Sequence, residues 1–165
     1  ADFGEGDVSI SAGEKHTLIR RPGLAVISSN MRGKLPDYTG FIPDPDKAKT
    51  QFTLDVDEFK RALRMAKVAD PGATKHGTLV VIAVKGGAIT METAKGNFGT
   101  MATPLNATAE GEDIRLLVYT AALERTLACI GLTEVEVYLD GDMGPMLLTE
   151  PDRLSKWIVM PARVD

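Results

Sequence analysis

The amino-acid sequence predicts an α+β fold in which one unit, strand–helix–strand–strand–strand, is used twice. Apolar alternation at Phe52, Leu54 and Val56 runs straight into a helical face of Phe59, Ala62, Leu63, Ala66 and Ala69. A second strand, over 114–118, likewise meets a helix whose apolar face is Leu123, Leu127 and Ile130. After each helix come three short runs rich in apolar and β-branched residues, bounded by Gly, Pro and Asp. The repeat is one of pattern rather than residue identity.

Taken in order, residues 1–36 hold three strands, over 7–11, 15–20 and 24–29, with turns at Ala12-Gly13 and Pro22-Gly23. Three strands without a helix over one face make a poor independent unit, so this opening calls for a partner. A connector spans 37–49, where Pro43 and Pro45 favour extended backbone and argue against helix. The repeated units occupy 50–165. Asp57 is placed to cap the first helix, Glu58 suits its positive end, and Pro71-Gly72 stops it. Lys85-Gly86-Gly87 joins strands over 79–84 and 88–93, and a less regular strand lies within 100–109. Thr120 is the expected cap of the second helix and Gly131 its stop. Strands over 135–139 and 146–149 flank Asp140-Gly141-Asp142. The run 157–160 reads as a largely buried closing strand, which Pro161, lacking an N–H, must end.

A chain of 165 residues, 44% hydrophobic and 25% charged, suits one ordinary globular domain plus part of another. No run is long and apolar enough to span a bilayer, and no membrane partner is expected. Cys129 is the sole cysteine, which excludes an internal disulfide and fits a cytoplasmic location. Its place late in a helix predicts a core residue rather than a nucleophile. His16 and His76 have no ligand spacing to each other or to Cys129. Asp140 and Asp142 flank a turn glycine and lack the spacing of a calcium loop. Gly96-Asn97-Phe98-Gly99 is followed by no helix that could cradle a phosphate. No catalytic residue, metal site or cofactor is expected.

The first helix carries Lys60, Arg64 and Lys67 one turn apart with Arg61 beside them, and Arg125 on the second helix adds to the set. In a chain of net charge −4, such a helix face is a local field that can track phosphates without reading bases. A merely solvated face is the competing reading.

The doubled unit and the basic helix coincide with two short motifs, Gly33-Lys34-Leu35-Pro36-Asp37-Tyr38 and Val159-Met160-Pro161-Ala162-Arg163. Together they resemble the C-terminal portion of the bacterial DNA polymerase III beta subunit, the ring-shaped sliding clamp. The resemblance implies that 50–165 is a C-terminal domain of the DNA-clamp (processivity) fold and 1–36 the last three strands of an incomplete middle domain. It implies a non-catalytic processivity factor that encircles duplex DNA without sequence preference, its helices towards the DNA. Polymerase, clamp loader and repair proteins would be tethered through short linear peptides. Matched by position, the peptide pocket would take Pro36 and Phe41 from the connector, with Met143, Pro145, Ile158, Met160, Pro161, Ala162 and Arg163. Soft Met and flat Pro side chains suit an aliphatic or aromatic anchor.

The departures from the family pattern also carry expectations. Tyr119 and Ala122 stand where the family often has an amide and a tyrosine, Lys75 where an aromatic is common, and Gly40 where arginine is frequent. A changed peptide preference follows. The stretch 96–104 carries no carboxylate, unlike the family's ring interface. Self-association through residues 1–36 or that edge is therefore expected in place of a two-chain ring. Two readings stay open: a piece or short relative of a clamp, or a free-standing adaptor that binds clamp-motif peptides without encircling DNA.

Overall fold

Alternating apolar side chains build three antiparallel sheets in a computed structural model, which describes residues 6–31, 33, 37–70, 77–94, 100–151 and 155–163. The chain divides into two units, Ala1–Asp37 and Tyr38–Asp165. In the first, β1 (Ser9–Ala12), β2 (His16–Arg21) and β3 (Leu24–Ser29) form a sheet in that order. The pairings Ile10–Ile19 and Ile19–Val26 line these three side chains along one face. This unit holds no helix among its described residues, and Ile10 is 64% exposed.

The second unit runs β4 (Thr50–Asp55), α1 (Val56–Ala69), β5 (Leu79–Lys85), β6 (Ala88–Thr93) and β7 (Ala102–Thr108). The order then returns as β9 (Ile114–Tyr119), α2 (Thr120–Leu127), β10 (Glu134–Leu139), β11 (Met146–Thr149) and β12 (Lys156–Val159), after a two-residue strand β8 (Glu110–Gly111). The repeated pattern is thus present, with β8 as an addition. One sheet has the order β12-β11-β10-β4-β8 and the other β7-β6-β5-β9. Each leading strand crosses to the other half: β4 pairs with β10 and β9 with β5. Neither half can complete its sheet alone.

α1 packs on β4, β6 and β7, α2 on β9 and β12, and the two helices lie side by side. Their buried residues, Phe59, Leu63, Ala66, Leu123 and Leu127, join strand residues of both halves in one core. β8 is a hook on β4. The Lys49 carbonyl accepts from the Glu112 amide at 2.9 Å, and the Thr50 hydroxyl donates to the Glu112 carbonyl at 2.6 Å. Gly111, at φ +118°, passes so close to the Lys49 carbonyl that a Cβ would strike it.

Several local expectations are corrected. Asp55, not Asp57, caps α1: its Oδ1 accepts from the Glu58 amide at 2.8 Å because β4 ends one residue before the helix. Thr120 is already helical, and its hydroxyl accepts from the Thr78 amide, tying α2 to the start of β5. α2 ends at Leu127, short of Gly131, so Ile130 is buried from beyond the helix and Cys129 is exposed rather than core. The connector is not wholly extended: 3-10 turns form at Thr39–Phe41 and Pro45–Lys47, the second with Pro45 at its first position, where no N–H is needed. β12 buries only Val159 fully, because it is the edge of its sheet. The expected stop Pro71-Gly72, and His76, lie outside the described residues.

Candidate functional site

Two surfaces gather the residues singled out by sequence. On the helices, Arg61, Arg64, Lys67 and Arg125 are exposed and Lys60 half-buried. Lys67 Nζ stands 2.9 Å from Glu124 Oε1 and 3.2 Å from Oε2, an ion pair between α1 and α2. No sequence spacing could reveal it, since Glu124 comes from the other half-unit. Glu58 is also committed, its Oε1 accepting from the Asn106 amide on β7 at 2.9 Å. The outer side of α1 is not uniformly basic either: Arg61 and Arg64 share a shallow apolar patch with Met65, Val68, Ala69 and Met101.

The second surface lies on the outer row of the five-stranded sheet, where Tyr138, Leu147 and Ile158 stand side by side. Leu147 is fully buried there although it belongs to no part of the main core. A cleft of about 260 Å³ is lined by residues 40–44 of the connector with Lys47, Asp140 and Pro145. It brings Phe41 and Pro145 together. Lys47 Nζ, 3.1 Å from Asp44 Oδ2, holds the Asp44 carboxyl below the usual carboxylate range and gives the cleft a charged rim.

Pairing of Met146 with Val159 leads Pro145 and Met160 out of the sheet at the same end. Met143 and Met160 are 61% and 55% exposed, soft apolar groups offered to solvent. Ile158 and Pro161 are half-buried and Arg163 is exposed. Ala162 is buried, and its amide donates to the Leu117 carbonyl at 2.7 Å. It therefore anchors the tail to β9 rather than offering contact surface. Tyr119 and Ala122 are half-buried at the start of α2, and Gly40 lies in the first 3-10 turn. Pro36, Lys75 and residues 96–99 lie outside the described residues. Tyr138, missed by sequence, donates its hydroxyl to Glu136 Oε2 at 3.1 Å. Burial, then that carboxylate, raises its pKa.

The whole described architecture overlays solved structures. A DNA polymerase sliding clamp from Bacillus subtilis matches with TM-score 0.83 and 23% identity over 99% of this chain. The fold is that of a bacterial sliding clamp. The Caulobacter crescentus pol III beta protein matches the clamp fold here at TM-score 0.80 and 25% identity over 95% of the chain. A DnaN sliding clamp from Bartonella birtlesii bound to griselimycin matches at TM-score 0.80 and 19% identity over 97%. The chain spans 43%, 41% and 42% of these three clamps, less than half of each. No protein-family model and no curated protein matches the sequence.

Proposed function

We propose that this chain acts as part of a sliding-clamp processivity factor that holds DNA polymerase and repair proteins on duplex DNA. The observation that carries the reading is the doubled unit, in a chain of which 99% matches a sliding clamp at TM-score 0.83. Residues 50–165 correspond in this reading to a C-terminal clamp domain, residues 1–36 to strands of a middle one, and 37–49 to their connector. The chemistry is contact, not catalysis. Lysines and arginines on α1 and α2 meet phosphates irrespective of sequence, and the cleft beside Phe41 and Pro145, with Met143 and Met160 near it, seats an apolar peptide anchor.

The peptide seat is tested by titrating a labelled clamp-binding peptide against the chain and its Met160→Asp variant. Binding to the parent and its loss in the variant are expected, because a docked peptide would strip water from an unpaired carboxylate. Equal binding by both would remove Met160 from the pocket.

The β1–β3 sheet leads to a second expectation. Its apolar row of Ile10, Ile19 and Val26 has no helix among the described residues of its own unit to pack on, and such a face, with strand edges, draws chains together. Sedimentation across a concentration series should show reversible self-association that charged substitutions at Ile10 and Val26 reduce. A strictly monomeric parent at high concentration would overturn this expectation.

A further inference from the structure

Of the five cations on the two helices, one is already engaged. Lys67 directs its ammonium at both oxygens of Glu124, at 2.9 and 3.2 Å, using two of its three donors. Among the described residues, no ion pair engages Lys60, Arg61, Arg64 or Arg125. We propose that Glu124 restrains the grip on duplex DNA by occupying Lys67, leaving phosphates to the other four cations. The inference rests on the DNA-facing reading above and names how that surface is regulated.

The geometry favours neutralisation over burial as the means. The two side chains are 50% and 36% exposed, so Lys67 is within reach of a phosphate, but that phosphate must displace a carboxylate already in place. Glu124 comes from the second half-unit and lies across the α1–α2 seam, within the surface that would face the duplex. A protein that must move along DNA needs phosphate contacts that are many and individually weak, and each strong one adds to the barrier between neighbouring positions. A carboxylate set directly on one of the five cations lowers that barrier without altering the fold.

The test is anisotropy of a labelled blunt duplex titrated with the full 165-residue chain over a series of NaCl concentrations. The variants are Glu124→Gln, Glu124→Gln/Lys67→Gln, and Glu134→Gln as a control of equal charge change. Glu134 is exposed at the start of β10, outside the helical surface. Freeing Lys67 adds one phosphate contact. The slope of log affinity on log salt should steepen by about 0.9, a loss about 3.5-fold larger between roughly 50 and 200 mM. Adding Lys67→Gln should erase the gain, and Glu134→Gln should show none. An unchanged slope in Glu124→Gln, a gain that survives Lys67→Gln, or an equal gain in Glu134→Gln would overturn the inference alone. A parent without salt-dependent duplex affinity would overturn the DNA-facing reading and this inference with it.

Discussion

Reversing Arg61, Arg64 and Arg125 to glutamate should lower duplex affinity by at least about a hundredfold at low salt and leave folding intact. All three are exposed and none is held in an ion pair among the described residues, so the substitutions break no ion pair and open no core cavity. Each lost charge-assisted contact is worth about 1.5 kcal/mol or more, and two alone amount to about a hundredfold. The salt slope should fall by up to about 2.7 for three contacts. Anisotropy reads both quantities, and circular dichroism checks that α1 and α2 remain. An affinity that ignores salt, or survives the triple reversal, would take these helices off the DNA.

Phe59→Ala should destabilise the second unit by about 3–5 kcal/mol, a large share of the roughly 5–15 kcal/mol that holds a domain folded. Phe59 is wholly buried and sits in the core to which both half-units contribute. Because β4 and β9 have exchanged sheets, a void under α1 weakens both halves together. Urea denaturation should show one transition for this unit, shifted to lower midpoint with little change in slope. Val68→Ala on the same helix, at a site 80% exposed, should stay within about 0.5 kcal/mol of the parent. Similar shifts for the two variants would contradict the packing described.

The architecture was legible because its signal is periodic. Phe52 and Leu54 alternate with polar residues, and Phe59, Leu63 and Ala66 recur at helical spacing, and burial follows both patterns. Junctions were harder to read. Asp55 and Asp57 are both good caps, and only the position of the last β4 residue selects Asp55. Cys129 is expected in the core from its place late in the helix near the apolar face, but α2 stops at Leu127 and the thiol is exposed. The sites were legible only as lists. Phe41 and Pro145 meet through the fold, Ala162 is diverted to Leu117, and Lys67 finds Glu124 from the other half-unit. Pairings of that range leave no trace in local spacing.

The exchange of leading strands also has a bearing on synthesis. β4 finds its ladder partner in β10, with Asp55 opposite Glu134. A ribosome adding roughly 5–20 residues per second needs about 4–16 s for the approximately 80 residues between them. Through that interval the nascent chain carries β4 with its main ladder unmade and α1 without its full bed. Thr50, Phe52 and Leu54, later buried, are then open to whatever else is near. The two-residue hook of β8 emerges earlier and reaches only Thr50 and Gln51. Closure of this fold is therefore a late event that depends on the second half, and a chain stalled before β10 would present a sticky strand to the cell's chaperones.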